Sequence, residues 1–400
     1  QQVSIRLGLV RAPPPAQGGI RQWRSTLRPS SFRNPVGQAP LRASRPLRVA
    51  VAGLGFGEAV HLRALTSQAA TEPVALWHPR QERLDRACAA SGLPGSTDFT
   101  ALLADPTVEA IVIATPPGPR FALARAALEA GKHLMLEKPV ALAPDQVEEL
   151  QRLALQRQLT VAVDFEYRAV PLFQQAAAWI QTGALGPLNL VTLNWLMGSR
   201  ANPERPWNWY SQRSEGGGVL GSLGTHAFDT LHWLVGPTRR IQAQLSTVIA
   251  ERPLADGSGR RAPVDADDVA LLQLELESAA GVRVPAQVTL SSVASRGRGY
   301  WIELYGRDAT LVLGSSNQAD YVHGFQLWIS QGGEPLRPVA ADPRFAFPRT
   351  WEDGRIAPVE RLHGWWAEAI RSGIPMVPGL AEAVASERCC AEARGFHGIP

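Results

Sequence analysis

The apolar residues of this chain follow two different patterns, and the change between them comes near residue 167. Before it, short apolar runs that resemble strands alternate with segments of helical periodicity; the runs are 47–52, 73–80, 108–120, 133–142 and 159–168. Strands that alternate with helices of about ten or more residues are typical of a parallel sheet with helices on both faces. The pattern predicts an α/β domain with a doubly wound parallel sheet over residues 47–166.

Beyond residue 167 the strand-like runs are longer and are joined by turns rather than by helices. They lie at 188–197, 240–250, 267–278, 281–293 and 299–314, with helical segments near 218–235 and 359–371. Long strands connected by turns are typical of antiparallel sheets. We therefore expect residues 167–400 to form an α+β domain with a large, mostly antiparallel open sheet.

Composition agrees with a soluble globular protein of two domains, since 45% of the 400 residues are apolar and 19% are charged. Apolar runs stay far below the roughly eighteen residues of a membrane-spanning helix, so no membrane partner is expected. Cys88, Cys389 and Cys390 lack metal-ligand spacing, and the adjacent pair points to different sides of a predicted helix. A reducing, cytoplasmic setting fits this cysteine usage.

The net charge of +4 comes from the N-terminal segment. Residues 1–46 hold eight Arg and no Asp or Glu, and removing these eight charges from +4 leaves −4 for the remaining chain. A mildly acidic body gives no support for nucleic-acid binding. The segment itself has three interpretations. It is a disordered extension, an organellar transit peptide, or upstream sequence that precedes a true start near residue 45. We expect a disordered or spurious extension that takes no part in the fold.

A glycine-rich turn, GLGFG at residues 53–57, follows the first predicted strand and precedes a helical pattern. Gly53 permits the tight turn, and Gly55 lets the backbone approach a pyrophosphate at the helix N-terminus. The motif is imperfect, because the usual third glycine would fall at Glu58 while Gly57 comes one position early. The context of strand, turn and helix predicts a Rossmann dinucleotide site that includes Phe56.

The end of the second strand bears on the choice of cofactor. An NAD site normally has a carboxylate here for the ribose hydroxyls, but this chain has His78 and Arg80, and its first carboxylate is Glu82. Arg80 is suited to a 2′-phosphate, which favours NADP over NAD. The alternative is that Arg80 and Arg83 are simply exposed residues at a helix start.

Several polar positions are expected at one edge of the parallel sheet, where the carboxyl ends of its strands meet and ligands bind. They are the glycine turn, Thr115 and Pro116 after the third long strand, Glu137 and Lys138 after the next, and Asp164 after the last. Their convergence is stronger evidence for a site than any one motif.

Lysine is nearly absent from the chain: of 40 basic residues only Lys132 and Lys138 are not Arg, and both lie in GKHLMLEKPVAL (131–142). Lys can release a proton when its surroundings shift its pKa, whereas Arg stays charged. Lys138 is therefore a candidate for proton transfer, and Lys132 is expected on the solvent side of a helix end. The alternative is that both lysines are present by chance.

A second cluster lies on the helix that follows three glycines in SEGGGVLGSLGTHAFDTLHWLVG (214–236). His226 and Asp229 fall on one helical face with Trp233, so that Asp229 can orient His226 for proton exchange. A buried structural histidine is the alternative. A zinc site with His232 lacks recognised ligand spacing, so no metal is expected.

The order of these motifs, GLGFG, ATPP, AGKHLMLEKP, the glycine-led helix with its histidine, and IELYG before ATL, resembles the Gfo/Idh/MocA oxidoreductases over residues 47–395. The resemblance implies a Rossmann domain that binds NAD or NADP, and a C-terminal sheet that contacts a small-molecule substrate and a second subunit. It also implies that Lys138 meets the reacting hydroxyl or carbonyl, that His226 acts as acid or base, and that Glu137 lies near the nicotinamide ribose. We expect hydride transfer with a sugar-like or cyclic substrate; the alternative is a non-catalytic NAD(P)-binding sensor or regulator.

The chain departs from the family at two positions. Ser222 stands where sugar and inositol dehydrogenases of the family often have Asp, and Arg120 stands where a histidine often follows the Thr-Pro turn. The aromatic and basic loop 201–215 is expected to cover the pocket, although its tryptophans would also suit a domain interface. Candidate substrate contacts are Asp164, Arg168, Trp207, Trp209 and Ser222.

Overall fold

The computed structural model describes residues 45–317 and 319–395 and contains one parallel and one mostly antiparallel sheet, beside a small two-stranded ribbon. All but the last two residues of the predicted extension at 1–46 lie outside the described residues. None of the described helices is long and apolar enough to cross a lipid bilayer.

Six strands form the parallel sheet: β1 (Leu47–Ala52), β2 (Thr71–Trp77), β3 (Gly95–Ser96), β4 (Ala110–Ile113), β5 (His133–Leu136) and β6 (Val161–Val163). Their spatial order, β3-β2-β1-β4-β5-β6, is that of a dinucleotide-binding sheet. Every residue of β4 is buried, as expected for a strand covered on both faces. The connecting helices are α1 (Arg63–Thr66), α2 (Gln81–Ser91), α3 (Phe99–Ala104), α4 (Pro117–Glu129) and α5 (Pro144–Arg157). The predicted doubly wound sheet is confirmed.

The second unit contains β7 (Leu188–Leu196), β8 (Thr238–Ser246), a ribbon of β9 (Glu251–Pro253) and β10 (Arg261–Pro263), β11 (Val269–Glu277), β12 (Arg283–Ser291), β13 (Gly299–Gly306), β14 (Ala309–Ser315), β15 (Gln326–Gln331) and β16 (Arg337–Val339). Its large sheet has the order β16-β15-β14-β13-β7-β12-β11-β8, in which only β7 and β12 pair in parallel. The predicted large, mostly antiparallel sheet is confirmed.

The helices of this unit are α6 (Pro171–Gln181), α7 (Thr225–Leu234) and the short α8 (Tyr321–Gly324). Burial alternates along β11 and β12, because one face of the sheet packs against α6 and α7 while the other stays open. A π-helical turn, Leu220–Gly224, leads directly into α7. The predicted helix near 218–235 therefore has two parts.

The last two helices, α9 (Ile356–Ser372) and α10 (Leu380–Gly395), return to the parallel sheet. Trp366 of α9 is fully buried in the core on one face of that sheet, and Leu380 belongs to the core on the other face. Further along α10, Cys390 packs into the core of the second sheet. The segment 167–400 therefore completes the core of the first unit as well as building its own.

Candidate active site

The three glycines of the 53–57 turn have three different structural roles. Gly53 has a φ of +99°, and a Cβ there would lie 2.7 Å from the carbonyl carbon of Ala114. A Cβ on Gly57 would lie 3.0 Å from Val51, so this residue permits the close contact between helix and strand that the third glycine usually provides. A Cβ on Gly55 would have no neighbour within 4 Å. Gly55 thus leaves open the space where a pyrophosphate can approach the helix that begins at Gly57.

A buried cluster of hydrogen-bonded side chains lies at the carboxyl ends of β5 and β6. His61 Nε2 is 2.9 Å from Glu137 Oε1 and 3.4 Å from Asp164 Oδ2, while His61 Nδ1 is 3.0 Å from His363 Nε2. The candidate ligand atoms of His61, Glu137 and Asp164 lie within 4.8 Å of one another, as a metal ion would require, and His61 is hydrogen-bonded to Glu137. The absence of a bound metal stays a prediction.

The two carboxyl groups of this cluster carry different charges. Burial and the neighbouring charge of Glu137 raise the pKa of Asp164 well above its ordinary value. Burial alone would also raise the pKa of Glu137, but the hydrogen bond from His61 and the charges of His61 and Lys138 together lower it to about 2. Glu137 is therefore the ionised member of the pair and Asp164 holds a proton.

Lys138 and His226 are brought to the same place from the two different units. Lys138 Nζ donates to the backbone oxygen of Ser222 at 3.1 Å, one helical turn before His226. His226 is buried, and its Nε2 lies 3.4 Å from Oε2 of Glu166. Burial, with a smaller effect of the Lys138 charge, lowers the pKa of His226 well below its ordinary value, so its imidazole is neutral. The arrangement joins a primary amine, a neutral imidazole and a carboxyl group, which together can exchange protons.

Asp229 does not orient His226 as expected. Its two oxygens accept hydrogen bonds of 2.8 and 2.7 Å from Arg168, and His226 Nδ1 has no partner among the described residues. Arg168, in the turn after β6, neutralises Asp229 in a buried, two-pronged ion pair. This pair also removes Arg168 from the groups free to bind a substrate. His232 bonds Thr238 at 2.9 Å.

Only part of the 201–215 loop reaches the site. Tyr210 Oη lies 2.9 Å from Ser222 Oγ, and the guanidinium of Arg200 stacks 3.3 Å from the centre of the Tyr210 ring. Trp207 Nε1 instead donates to the backbone of Pro263 in β10, and Trp209 packs with its edge against Tyr210. The contacts of the two tryptophans therefore lie within the second unit, where they support the loop.

Arg120, at the position of a frequent family histidine, supports the backbone of the site. It is buried and donates to the carbonyl oxygens of Glu137, at 2.8 Å, and of Pro139 and Thr115. These bonds hold the turn after β5 against the turn after β4. Thr115 Oγ1 is buried without a partner among the described residues, and Pro116 is exposed at the start of α4.

The end of β2 has the polarity that the sequence predicts. His78 is buried, and its Nδ1 accepts a hydrogen bond of 3.0 Å from the backbone N–H of Arg80, which holds the chain at the start of α2. The side chain of Arg80 is exposed and has no hydrogen bond or ion pair with a described residue. Glu82, in the first turn of α2, is also exposed. A positive group thus stands where NAD sites usually have an acid.

Three residues of this site were not foreseen from the sequence: His61, Glu166 and His363. Glu166 had a usable signal, because it lies two residues after Asp164 at a strand end where ligand contacts are expected. His61 lies one turn into the helix that follows the glycines, so its position was a weaker signal. His363 had none, since its partner His61 is 302 residues away in the chain.

Comparisons with known proteins agree with this geometry. Residues 47–165 match the oxidoreductase family model with an NAD-binding Rossmann fold, and residues 173–312 match the GFO/IDH/MocA C-terminal domain. An uncharacterised oxidoreductase of Synechocystis is 44% identical over 85% of this chain and 91% of its own length. Levoglucosan dehydrogenase of Pseudarthrobacter phenanthrenivorans is 31% identical over 55% of this chain and 59% of its own.

The fold also matches a solved structure. A levoglucosan dehydrogenase complex with NADH and levoglucosan superposes with a TM-score of 0.76 and 25% identity, covering 88% of this chain and 98% of that one. The two matched domains, the open glycine turn and the convergence of Lys138 and His226 have one common explanation. The chain belongs to the Gfo/Idh/MocA family and is an NAD(P)-dependent oxidoreductase with an N-terminal Rossmann domain.

Proposed function

We propose that this enzyme interconverts a hydroxyl and a carbonyl group on a small sugar-like or cyclic substrate, with Lys138 and His226 handling the proton. The observation that carries the proposal is the approach of Lys138, from the first unit, to the helical turn that precedes His226 in the second unit. A bound nicotinamide supplies the hydride acceptor or donor. The similarity to levoglucosan dehydrogenase supports a sugar-like substrate, although Ser222 replaces an acid that is frequent in such enzymes.

Each residue has a distinct part in this chemistry. Lys138 donates a hydrogen bond to the substrate oxygen, and the neutral imidazole of His226 accepts the hydroxyl proton during oxidation. Glu137, which is ionised, accepts hydrogen bonds from the ribose of the cofactor. Tyr210 and Ser222, whose hydroxyl groups bond each other, offer further polar contacts.

The proposal is tested by offering levoglucosan, D-xylose and myo-inositol with NAD⁺ and NADP⁺ and following nicotinamide absorbance. Turnover of at least one alcohol is expected, and His226→Ala should reduce it by roughly 10²-fold. If the purified protein binds NADPH yet turns over none of these alcohols nor their oxidised forms, the sugar-like substrate class is wrong.

We further propose that NADP is preferred over NAD, because Arg80 is free to contact a 2′-phosphate. Such a charged contact is worth about 1.5–3 kcal/mol, which corresponds to roughly tenfold or more in affinity. Fluorescence titration should show tighter binding of NADPH than of NADH, and Arg80→Gln should weaken NADPH alone. Arg86→Gln, six residues further along the chain in α2 and also exposed, is the control. Equal or tighter binding of NADH by the parent would contradict the preference.

The open face of the second sheet is the proposed contact between subunits of a homo-oligomer. Leu190 and Leu271 are 39% and 44% exposed on this sheet. Apolar side chains on a large open sheet are typical of an interface with a second copy. We also propose a cytoplasmic location, in keeping with the three free cysteines.

A further inference from the structure

The site contains a carboxyl group that the family resemblance does not predict. Glu166 lies in the short helical turn Glu166–Ala169 that follows β6, and its side chain is 13% exposed. Its Oε2 is 3.4 Å from Nε2 of His226. At position 222, where related enzymes often carry Asp, the serine hydroxyl bonds Tyr210 and the backbone oxygen bonds Lys138. A carboxyl group therefore reaches His226 from a different element of the fold.

His226 requires such a neighbour if it takes up a proton. Its imidazole is neutral near neutral pH, because burial and Lys138 disfavour the charged form. Its Nδ1 is enclosed by protein without a partner among the described residues, so Nε2 is the nitrogen that faces Glu166. A proton accepted from a substrate hydroxyl cannot stay on this imidazole and must move to a group that holds it better.

Glu166 has the surroundings of a group that can hold a proton and release it again. Burial raises its pKa to about 7, an effect that the positive charges of Lys138 and Arg355 oppose and the negative charge of Glu137 supports. Burial is the largest effect on the two neighbouring groups as well: it raises the pKa of Asp164 and lowers the pKa of His226, so that both are shifted toward their uncharged forms. A carboxyl group that titrates near the working pH suits proton transfer in either direction.

We propose that Glu166 takes the place of the missing aspartate and is the positioning residue that exchanges the reaction proton with His226. This inference rests on the proposed dehydrogenase function. During oxidation the substrate O–H bond breaks and its proton goes to His226 Nε2, while the C–H bond electrons leave with the hydride to the nicotinamide. The proton then passes from His226 to the Glu166 carboxylate, which later releases it to solvent. Reduction of a carbonyl runs the same proton steps in reverse.

The two reaction directions should therefore depend on pH in opposite ways. Oxidation needs Glu166 ionised, so kcat/KM should rise through about pH 7; reduction needs it protonated, so kcat/KM should fall through the same range. The substrate is whichever of levoglucosan, D-xylose or myo-inositol the parent oxidises. Glu166→Gln should lose both pH limbs, that is, the rise of kcat/KM for oxidation and its fall for reduction. Its kcat/KM should also be roughly 10²-fold lower. Glu166→Asp should restore part of the rate and the limbs. The proposal is overturned if Glu166→Gln keeps the parent profiles.

A matched control is available in Glu360 of α9, whose side chain is 16% exposed and bonds Ser67 away from the site. Glu360→Gln should keep the parent rates and both pH limbs. Loss of the limbs in this variant would show that they do not belong to Glu166, which contradicts the proposal.

A second measurement does not need a substrate and so separates this proposal from the proposed function. Infrared difference spectra of the NADPH complex between about pH 6 and about pH 8 should show loss of a protonated carboxyl band. Part of that loss should be missing in Glu166→Gln and present in Glu360→Gln. If the spectra of Glu166→Gln equal those of the parent, Glu166 does not titrate and the proposal is wrong. If the band behaves as expected but no alcohol reacts, the error lies in the substrate class instead.

Discussion

The two lysines of the chain permit one variant that should change catalysis and another that should change stability. Lys138 is half-buried at the site and donates to Ser222. Lys132 is only 8% exposed, and its Nζ donates to the backbone oxygens of Asp105, at 2.9 Å, and Val108, at 2.7 Å. The prediction that Lys132 lies on the solvent side of a helix end is therefore wrong, because its ammonium group satisfies carbonyls that would otherwise be buried without a donor.

Lys138→Arg keeps the positive charge but replaces the compact ammonium that donates to the substrate oxygen with a bulkier, planar guanidinium, so kcat/KM should fall by roughly 10²-fold or more with little change in melting temperature. Lys132→Arg should instead lower the melting temperature and leave kcat/KM unchanged. The planar guanidinium is too bulky to occupy the place of the ammonium between two buried carbonyls, and leaving one of them unsatisfied costs about 1–3 kcal/mol. For a cooperative unit of about 150–250 residues the melting temperature should fall by roughly 2–12 °C, with activity unchanged well below it.

The assay combines thermal melting of the NADPH-free protein with initial rates on a probe alcohol at 25 °C. Both variants should bind NADPH nearly as well as the parent. Equal activity of Lys138→Arg and the parent would show that Lys138 is structural. A Lys132→Arg variant as stable as the parent would refute the argument from its two backbone hydrogen bonds.

Two further predictions concern buried charges. Asp229→Asn leaves Arg168 without its buried counter-charge and should destabilise the protein by about 3–5 kcal/mol, measured by chemical unfolding. Part of that loss should be recovered in the double variant that also carries Arg168→Gln. A loss of stability below about 1 kcal/mol would contradict the buried pair. Burial raises the pKa of Glu387 to about 8, so above the ordinary glutamate pKa the folded protein retains a proton that the unfolded chain has released. Stability should therefore fall as pH rises from about 5 to about 8, and Glu387→Gln should make that fall shallower. An unchanged slope in the variant would assign the pH dependence to other groups.

The parallel sheet could be predicted from the sequence because its strands are short, apolar runs buried on both faces. The strand Ala110–Ile113 is apolar at every position and is buried throughout, as the composition of a central strand requires. Strand ends then place Glu137, Lys138 and Asp164 at one edge without any knowledge of side-chain contacts, since parallel strands all end on the same side. The glycine turn was predicted for a related reason: a φ of +99° at Gly53 is a local requirement that few other residues meet.

The sequence does not predict which side chains contact each other at that edge of the parallel sheet. Asp229 lies one turn from His226, yet it pairs with Arg168 from another element, and Glu166 approaches His226 in its place. Helical spacing shows which residues share a face but not which group from a distant segment packs against that face. Lys132 is a similar case, because its burial depends on how the loop at 105–108 folds over the helix end.

The sequence by itself determined the two kinds of sheet, the glycine turn, and the edge at which Lys138 would lie, because periodicity and strand ends are local properties of the chain. Tertiary structure alone decided that α9 and α10 complete the Rossmann core and that His61 meets His363 across 302 residues. It also decided which carboxyl groups are charged. Those outcomes depend on burial and on neighbouring charges, and both are set only when segments distant in the chain pack together.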